Sequence, residues 1–173
     1  KIEIFSEKLL QFTEGWELEA DDTLTGMDTL PPIPVYLPEW YGVEKTTDEY
    51  PLMLSGFHYR GRLHCSWGGI EELKEVNPQE AWINPVDAEP RGIAQGDKVR
   101  VKNEFGEIEL LAKVTPRVVP GTVAVSQGAW HDADMAGDRV DKGGSINTLT
   151  TQRPSPLSKG NPQHTNICEV SKA

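Results

Sequence analysis

The sequence predicts a mainly β protein in which about six short strands close into a barrel, joined by loops and short helices. Apolar and polar residues alternate over several short stretches, the period-2 pattern of strands with one buried face. The 16 glycines and 13 prolines fall largely between these stretches, where tight connections are expected. A closed barrel leaves no unpaired sheet edge and therefore suits such strands.

The clearest element is a corner formed by a strand, a short helix and a second strand between residues 80 and 106. The β-prone run Ala81–Ile83 ends at Asn84-Pro85, because proline lacks an N–H and disfavours helix in the preceding residue. Pro85 suits the first position of a helix, and Asp87 lies near the unpaired N–H groups of its first turn. Gly92 and Gly96 then allow the left-handed conformations that end a helix.

Further elements are predicted on both sides of this corner. The strand candidates are 51–56, 98–102, 107–114, 122–125, 146–150 and 167–170. Ile70, Leu73 and Val76 have helical spacing, which predicts a short helix over 70–76. Near the amino terminus we expect a strand entering a short helix that Ser6 caps.

Charge divides the chain into an arm, residues 1–50, and a barrel, residues 51–173. The arm has 12 acidic and 3 basic residues, whereas the remainder has 15 and 14. The arm is also proline-rich, and its apolar content predicts that it docks on the barrel or on domains missing from this chain. Neither part has a basic stripe, so nucleic-acid binding is disfavoured.

The termini and the cysteines restrict the class of protein. No apolar run approaches the roughly 20 residues that a membrane-spanning helix needs, and no signal peptide is visible. The first residue is lysine rather than methionine, so we expect a soluble fragment of a longer protein. Cys65 and Cys168 lie outside any C-x-x-C motif, which excludes a cysteine-only metal site in this chain. We favour two free thiols over a disulfide.

Two stretches have the chemistry of a ligand site. His58-Tyr-Arg-Gly-Arg-Leu-His64 follows a predicted buried strand and is rich in donors that suit an anionic, heteroaromatic ligand. Gly143-Gly144-Ser145, followed by Asn147 and Thr148, can present backbone N–H groups to a pyrophosphate. Rossmann and P-loop motifs are absent.

Other chemistries find less support. The stretch 130–141 resembles a calcium-binding loop that would begin at Asp132, with Asp134 two residues later and Gly137 at the turn position. The twelfth position of such a loop is then Gly143, not the glutamate that calcium binding needs. No G-x-S-x-G motif places a serine beside a base, which argues against a hydrolase. A standalone enzyme using His131 and a neighbouring aspartate is a further hypothesis.

Several motifs in order resemble the C-terminal domain of molybdopterin oxidoreductases of the dimethyl sulfoxide reductase family, and most closely its anaerobic catalytic subunits. They are Gly56-Phe-His-Tyr-Arg60, Trp82-Ile-Asn-Pro-Val-Asp-Ala88, Arg91-Gly-Ile-Ala-Gln-Gly-Asp-Lys-Val99, Gln127-Gly-Ala-Trp130 and the long run 141–166. The resemblance is strong over about residues 51–173 and weak over the arm. It implies a double-psi β-barrel that binds molybdenum bis(molybdopterin guanine dinucleotide).

The resemblance also implies which residues bind this cofactor. The loop after the first strand would wrap the pterin and diphosphate of one half through Phe57, His58, Tyr59, Arg60, Arg62, His64 and Cys65. Family members often have a hydroxyl residue where this chain has Cys65. The remaining implied contacts are Asn84, Asp87, Gln127, Trp130, Asn147, Thr150, Thr151, Asn161, His164 and Thr165. For two of them a structural role is the alternative, with Asp87 capping the helix and Asn84 satisfying the turn.

For the parent protein, the resemblance implies reduction of S-oxides or N-oxides by oxygen-atom transfer in bacterial anaerobic respiration. The metal ligand and the iron–sulfur motif of the family lie in earlier domains, so the isolated chain is expected to be inactive and to contain no catalytic or metal-ligating residue. The implied partners are the rest of the catalytic subunit, an iron–sulfur electron-transfer subunit and a membrane anchor, on the periplasmic face. The alternative is a double-psi barrel that serves as a protein-interaction module without a cofactor.

Overall fold

Six strands form a closed barrel in the part of the chain that the computed structural model describes, residues 3–14, 31–36, 41–152 and 160–173. They are β1 Leu52–Phe57, β2 Glu80–Ile83, β3 Lys98–Asn103, β4 Gly106–Val114, β5 Thr122–Ser126 and β6 Asn166–Lys172. Around the barrel their order is β1-β5-β2-β4-β3-β6, with β6 pairing back onto β1. The predicted mainly β, closed fold is confirmed.

The strand directions give the barrel two distinct ends. β1 and β5 are parallel, with Phe57 opposite Ser126, so both strands finish at the same end, which we call the loop end. β2 is antiparallel to β5, and Ile83 lies opposite Val123. The carboxyl end of β2 therefore lies where β5 begins, and we call this the corner end.

The core consists of the inward-facing residues of these strands. Leu54, Val99, Val101, Val123 and Val125 are fully buried, and burial alternates along β1 and β3 as the sequence pattern predicts. Burying a side chain of this size contributes about 1.5–3 kcal/mol relative to leaving it exposed. Cys168 is buried in the same core, Cys65 is exposed, and both thiols are free.

The corner has the predicted sequence of elements. α3, Pro85–Ala88, begins at Asn84, whose side chain accepts a hydrogen bond from the Val86 N–H. A 3-10 helix, Glu89–Arg91, continues α3 and ends at Gly92, which has φ +62°. The remaining predicted helix is α2, Glu71–Val76.

The prediction of a strand at 146–150 is wrong, because Ile146–Leu149 forms a 3-10 helix. Ile146 and Leu149 are three residues apart, so in this helix they lie on one face, and both are buried. β-Propensity was overridden because the segment packs its apolar side chains on the barrel instead of pairing with a strand.

The arm is helical at its start and contacts the barrel at its end. α1, Glu7–Glu14, is capped by Ser6, whose hydroxyl accepts from the Leu9 N–H, whereas the described residues before it form no strand. The Tyr41 ring packs edge-on against Phe105 in the β3–β4 turn, with centroids 5.6 Å apart. Residues 1–2, 15–30 and 37–40 lie outside the described residues, and docking of the whole arm stays a prediction. None of the described helices is both long enough and apolar enough to cross a membrane.

Candidate functional site

Four chain segments meet at the loop end of the barrel. The loop after β1 and the loop after β5 leave this end together, because their strands are parallel. Residues 146–149 and the segment before β6 pack beside them against Gly56. A Cβ at Gly56 would lie 3.3 Å from Ile146 Cδ1 and 3.5 Å from His164 Nδ1. The backbone of β1 thus lies directly against both segments.

Arg62 connects the loop after β1 to the strand ends. Its Nη2 donates to Gln79 Oε1 at 2.5 Å and to Ser126 Oγ at 2.6 Å. The Gln79 amide in turn donates to the backbone oxygens of Ser126 and Gly144. The guanidinium also lies 5.6 Å from the centre of the Tyr59 ring.

The charge of Arg62 is not compensated by a carboxylate within the described residues. Its Nε is buried and has no hydrogen-bond partner there. Burial lowers the pKa of the Arg62 guanidinium below its ordinary value, with a smaller opposing effect from Tyr59. A partly buried cation with spare donors favours an anionic ligand.

Trp130 lies over the loop after β1. Its Nε1 donates to the Cys65 carbonyl oxygen at 2.8 Å. A Cβ at Gly68 would come within 2.9 Å of the indole, and one at Gly69 within 3.1 Å. The two glycines therefore let the ring lie directly on the backbone, while 58% of Trp130 stays exposed.

Asp141 organises the loop between β5 and the 3-10 helix. Its carboxylate is fully buried and accepts from the N–H groups of Asp132, Gly143 and Ser145 and from the Thr148 hydroxyl, at 2.7–3.2 Å. Its backbone also exchanges hydrogen bonds with Glu107 and Glu109 of β4. The residue thus fixes the glycine-rich turn and the start of the 3-10 helix to the barrel wall.

The last two segments are held to each other by polar side chains. Asn147 Oδ1 accepts from Gln163 Nε2 at 3.0 Å, and Asn161 Nδ2 donates to Thr150 Oγ1 at 3.3 Å. Asn166 is fully buried and accepts from the Thr151 N–H. Asn147 itself is exposed and available to a ligand.

Two adjoining cavities open between these segments, and Trp130 and His131 line both. One, of about 770 Å³, is a groove lined by neutral polar groups that include Cys65, Asn147 and Gln152. The other, of about 570 Å³, is a recess whose lining includes Arg62, Lys74 and Lys142. Both volumes fall within the range of small-molecule sites, about 300–1,000 Å³.

Comparison with known proteins assigns the family. The sequence model of one protein family, the Molydopterin dinucleotide binding domain, matches residues 52–167 of this chain. The chain belongs to this family. The predicted resemblance to molybdopterin oxidoreductases of the dimethyl sulfoxide reductase type is thereby confirmed.

Curated relatives agree with this assignment. The chain is 53% identical to the putative dimethyl sulfoxide reductase chain YnfE of Escherichia coli and 48% identical to the dimethyl sulfoxide reductase DmsA of Haemophilus influenzae, each over 99% of its length. It spans about a fifth of these proteins, 21% and 20% respectively.

A solved structure shows the same fold. Acetylene hydratase from Pelobacter acetylenicus aligns with 82% of the chain at a TM-score of 0.69 and 17% identity, over 21% of its own length. Together with the family assignment, this likeness confirms the predicted double-psi β-barrel of molybdopterin enzymes.

The structure brings most residues predicted from the family resemblance to the loop end. Phe57 ends β1 and its carbonyl accepts from the Gln127 N–H, while the rings of His58 and His64 lie 5.3 Å apart. Arg60, His64, Cys65, Asn161 and His164 are exposed, and Thr165 is half-buried at the entry to β6. Thr150 and Thr151 are buried. Their contacts with a cofactor stay predictions.

Asn84 and Asp87 are separated from the others, because they lie at the corner end. Asn84 Nδ2 donates to the Val118 carbonyl at 2.6 Å, in addition to its helix cap. The Asp87 carboxylate accepts from the Gly121 N–H at 2.8 Å and so holds the loop before β5, rather than capping its own helix. These partners favour the structural alternative for both residues.

Three residues of this site are not predicted by the sequence patterns: Asp141, Gln79 and Lys142. The signal for Asp141 is its place two residues before Gly143-Gly144, because a carboxylate there can accept from the N–H groups of the turn. Nothing in the sequence distinguished Gln79 or Lys142 from surface residues. Within the described residues, no group of three His, Cys, Asp or Glu side chains is placed to hold a metal ion.

Proposed function

We propose that this chain is the cofactor-binding C-terminal domain of a molybdenum reductase subunit. The subunit reduces S-oxides or N-oxides by oxygen-atom transfer, and the domain holds molybdenum bis(molybdopterin guanine dinucleotide). The names of the curated relatives support the S-oxide class. One observation carries the proposal. Four segments with polar side chains, the loops after β1 and β5, residues 146–149 and the segment before β6, meet at the loop end beside two cavities.

The residues at this end fit such a group. A reduced pterin presents a mixed edge of donors and acceptors, which the exposed amides of Asn147 and Gln152 can match. A diphosphate needs cations and N–H donors, and Arg62 lines the recess with a charge that no carboxylate of the described residues neutralises. When bound, the cofactor supplies the redox chemistry.

The chain's own residues bind and orient. Asp141 fixes the backbone of the turn and of the 3-10 helix, so that Asn147 is presented from a rigid segment. Trp130 lies against Gly68 and Gly69 and donates to the Cys65 carbonyl oxygen, and so helps to position the loop after β1. Because these roles are positional, the chain alone is expected to have no turnover.

In the cell, we expect the parent to work as a catalytic subunit with an iron–sulfur electron-transfer subunit and a membrane anchor, on the periplasmic face of a bacterial membrane. This follows from the family resemblance, and the relatives' names support only the catalytic part.

The decisive experiment uses the full-length parent subunit, purified without oxygen. Elemental analysis and analysis of nucleotides released by acid should find molybdenum together with guanine nucleotide. Absence of both would contradict cofactor binding and favour a protein-interaction module. Another base in place of guanine would contradict only the guanine form.

A variant pair tests the role of Asn147. If its amide contacts the cofactor, Asn147→Ala should lower the affinity of the subunit for the dinucleotide about tenfold, the loss expected for one well-made polar contact. Gln163→Ala is the matched control, since it removes the protein partner of Asn147 but leaves the Asn147 amide. Equal nucleotide contents in the two variants would assign Asn147 to loop packing alone.

A further inference from the structure

The β3–β4 turn, residues 103–106, lies against the 3-10 helix that carries Asn147. A Cβ at Gly106 would lie 2.8 Å from Thr148 Cγ2 and 3.0 Å from the Thr148 carbonyl oxygen, so the backbone of the turn directly contacts this helix. Phe105 of the turn lines the groove, as do Asn147 and Thr148. The turn therefore reaches the candidate site, although none of the residues implied by the family resemblance lies in it.

Asn103, the last residue of β3, connects this turn to two further segments. Its Nδ2 donates to the carbonyl oxygens of Leu149 at 2.7 Å and of Ile167 at 3.1 Å, and its Oδ1 accepts from the Phe105 N–H at 3.0 Å. The residue is buried, and both N–H donors of its amide are used. Leu149 ends the 3-10 helix and Ile167 lies near the start of β6. One amide thus joins both segments to the barrel wall.

The segment that carries Asn147 is held between two buried polar side chains. Asp141 fixes the start of the 3-10 helix, and Asn103 fixes its end. The helix, Ile146–Leu149, has only four residues, and a helical turn of this length is unstable on its own. The position of the Asn147 amide therefore depends on both anchors.

We infer that Asn103 is a positioning residue for the candidate site and acts by holding the Asn147 amide at the groove. The inference rests on the proposed function and deepens it, because it adds to the site a residue that does not need to touch the bound dinucleotide. The alternative is that Asn103 stabilises the fold and nothing else, which is the role that the hydrogen bonds of Asn84 favour at the corner end.

Asn84 provides a matched control for Asn103. The two residues are 7% and 8% exposed. Each Oδ1 accepts from the N–H two residues later at 3.0 Å, and each Nδ2 donates to a carbonyl of a distant segment, at 2.6 Å for Asn84 and 2.7 Å for Asn103. Aspartate at either position keeps the shape and the acceptor but removes the donors, so both variants should unfold at a lower temperature. The pair separates loss of stability from loss of position.

The test uses the full-length parent subunit, purified with its cofactor in the absence of oxygen. Each variant is held well below its own unfolding midpoint, and the guanine nucleotide retained on the protein is measured over time. Asn103→Asp should release the nucleotide about tenfold faster than Asn84→Asp, which is the effect of misplacing one well-made polar contact. Equal rates of release from the two variants would overturn the inference.

A double-mutant cycle measures whether Asn103 acts through Asn147. Asn103→Asp should speed release about tenfold when Asn147 is present. In the Asn147→Ala background it should change the rate only slightly, because the amide that it positions is gone. A general loosening of the fold would instead speed release by the same factor in both backgrounds, and that result would overturn the inference.

Gly106→Ala disturbs the same contact without changing Asn103. The added Cβ would press on Thr148 and push the 3-10 helix away from the wall, so release should again be faster than from the wild type. If Asn103→Asp does not fold, release at the wild-type rate from Gly106→Ala would contradict the inference. A wild-type parent without molybdenum and nucleotide would refute the proposed function, whereas a loaded parent whose release is indifferent to these changes would refute only this inference.

Discussion

Two half-buried arginines, one at each end of the barrel, have opposite surroundings. At the corner end, Arg91 donates from Nε and Nη2 to the two oxygens of Glu169, at 2.7 and 3.0 Å, and from Nη1 to the Asp87 carbonyl. These contacts, above all the hydrogen bond to Glu169, raise the pKa of Arg91. Arg62 at the loop end has no carboxylate partner among the described residues, and burial lowers the pKa of its guanidinium.

The same contrast extends to the backbone. The described non-glycine residues with positive φ are His64, Trp67 and Arg139, and all three lie in the loops of the loop end. Such conformations are disfavoured for residues with a Cβ and tend to collect at functional sites. The corner end instead places glycine where φ is positive, at Gly92 and Gly121. At the corner end, the polar side chains described above are hydrogen-bonded to other groups of the protein. At the loop end, donors and cavities remain available to a ligand.

The largest expected effect is that of Asp141→Ala, which leaves three N–H groups and a hydroxyl without their buried acceptor. We expect the free energy of unfolding to fall by about 3–5 kcal/mol, measured by urea denaturation. The control is Asp134→Ala, because Asp134 also accepts two N–H groups within its turn but is exposed. The control should lose about 1 kcal/mol or less. Similar losses in both variants would mean that the loop end does not depend on its buried carboxylate.

A glycine pair compares the two ends directly. Gly128 and Gly121 both have positive φ, +91° and +80°. A Cβ at Gly128 would lie 1.7 Å from the His64 carbonyl oxygen, whereas one at Gly121 would meet no atom of the described residues within 4 Å. By thermal unfolding, Gly121→Ala should cost about 1 kcal/mol from backbone strain alone, and Gly128→Ala about 3 kcal/mol or more, because the two loops must separate. Equal losses of stability in the two variants would show that the loops at the loop end separate at little cost in free energy.

Asp87→Ala tests whether the corner is only scaffold. Loss of the hydrogen bond to the Gly121 N–H should lower the free energy of unfolding by about 1–2 kcal/mol. The full-length subunit with this change should keep its normal guanine-nucleotide content. A stable variant that lost the nucleotide would instead make the corner a cofactor contact, as the family resemblance implied.

The smallest expected effect comes from the solvent-accessible ion pair between Asp97 and Lys172. Asp97 accepts from Lys172 Nζ and from the Ala94 N–H, each at 2.8 Å, and these bonds lower the pKa of its carboxyl group. A lowered folded-state pKa contributes stability that is present at neutral pH and lost as the pH falls through that pKa, below about pH 4. Acidification should therefore destabilise the wild type slightly more than Asp97→Asn, in unfolding midpoints measured against pH. Parallel curves would show that this pair contributes nothing.

Local patterns predicted most elements of the barrel. Alternating residues gave the strands, and Asn84-Pro85 and Gly92 gave the bounds of the corner helix, because these signals act through the backbone of the residue itself. The segment 146–149 was misassigned, since its β-prone residues also fit a 3-10 helix once Asp141 holds the preceding turn. Of the candidate site, the donor-rich loop at 58–64 was recognisable by composition. The recess was not, because Lys142 and Arg62 are 80 positions apart in the sequence.

By itself, the sequence determined the fold class, the family and the chemical character of the loops, since alternation, turn residues and ordered motifs are local properties. The tertiary structure alone decided which polar residues remain available. The same three residue types occur at both ends of the barrel, as Asn84, Asp87 and Arg91 at the corner end and as Asn147, Asp132 and Arg62 at the loop end. They differ because strand direction places the first group where internal partners exist, and the second where parallel strands β1 and β5 release their loops beside open cavities.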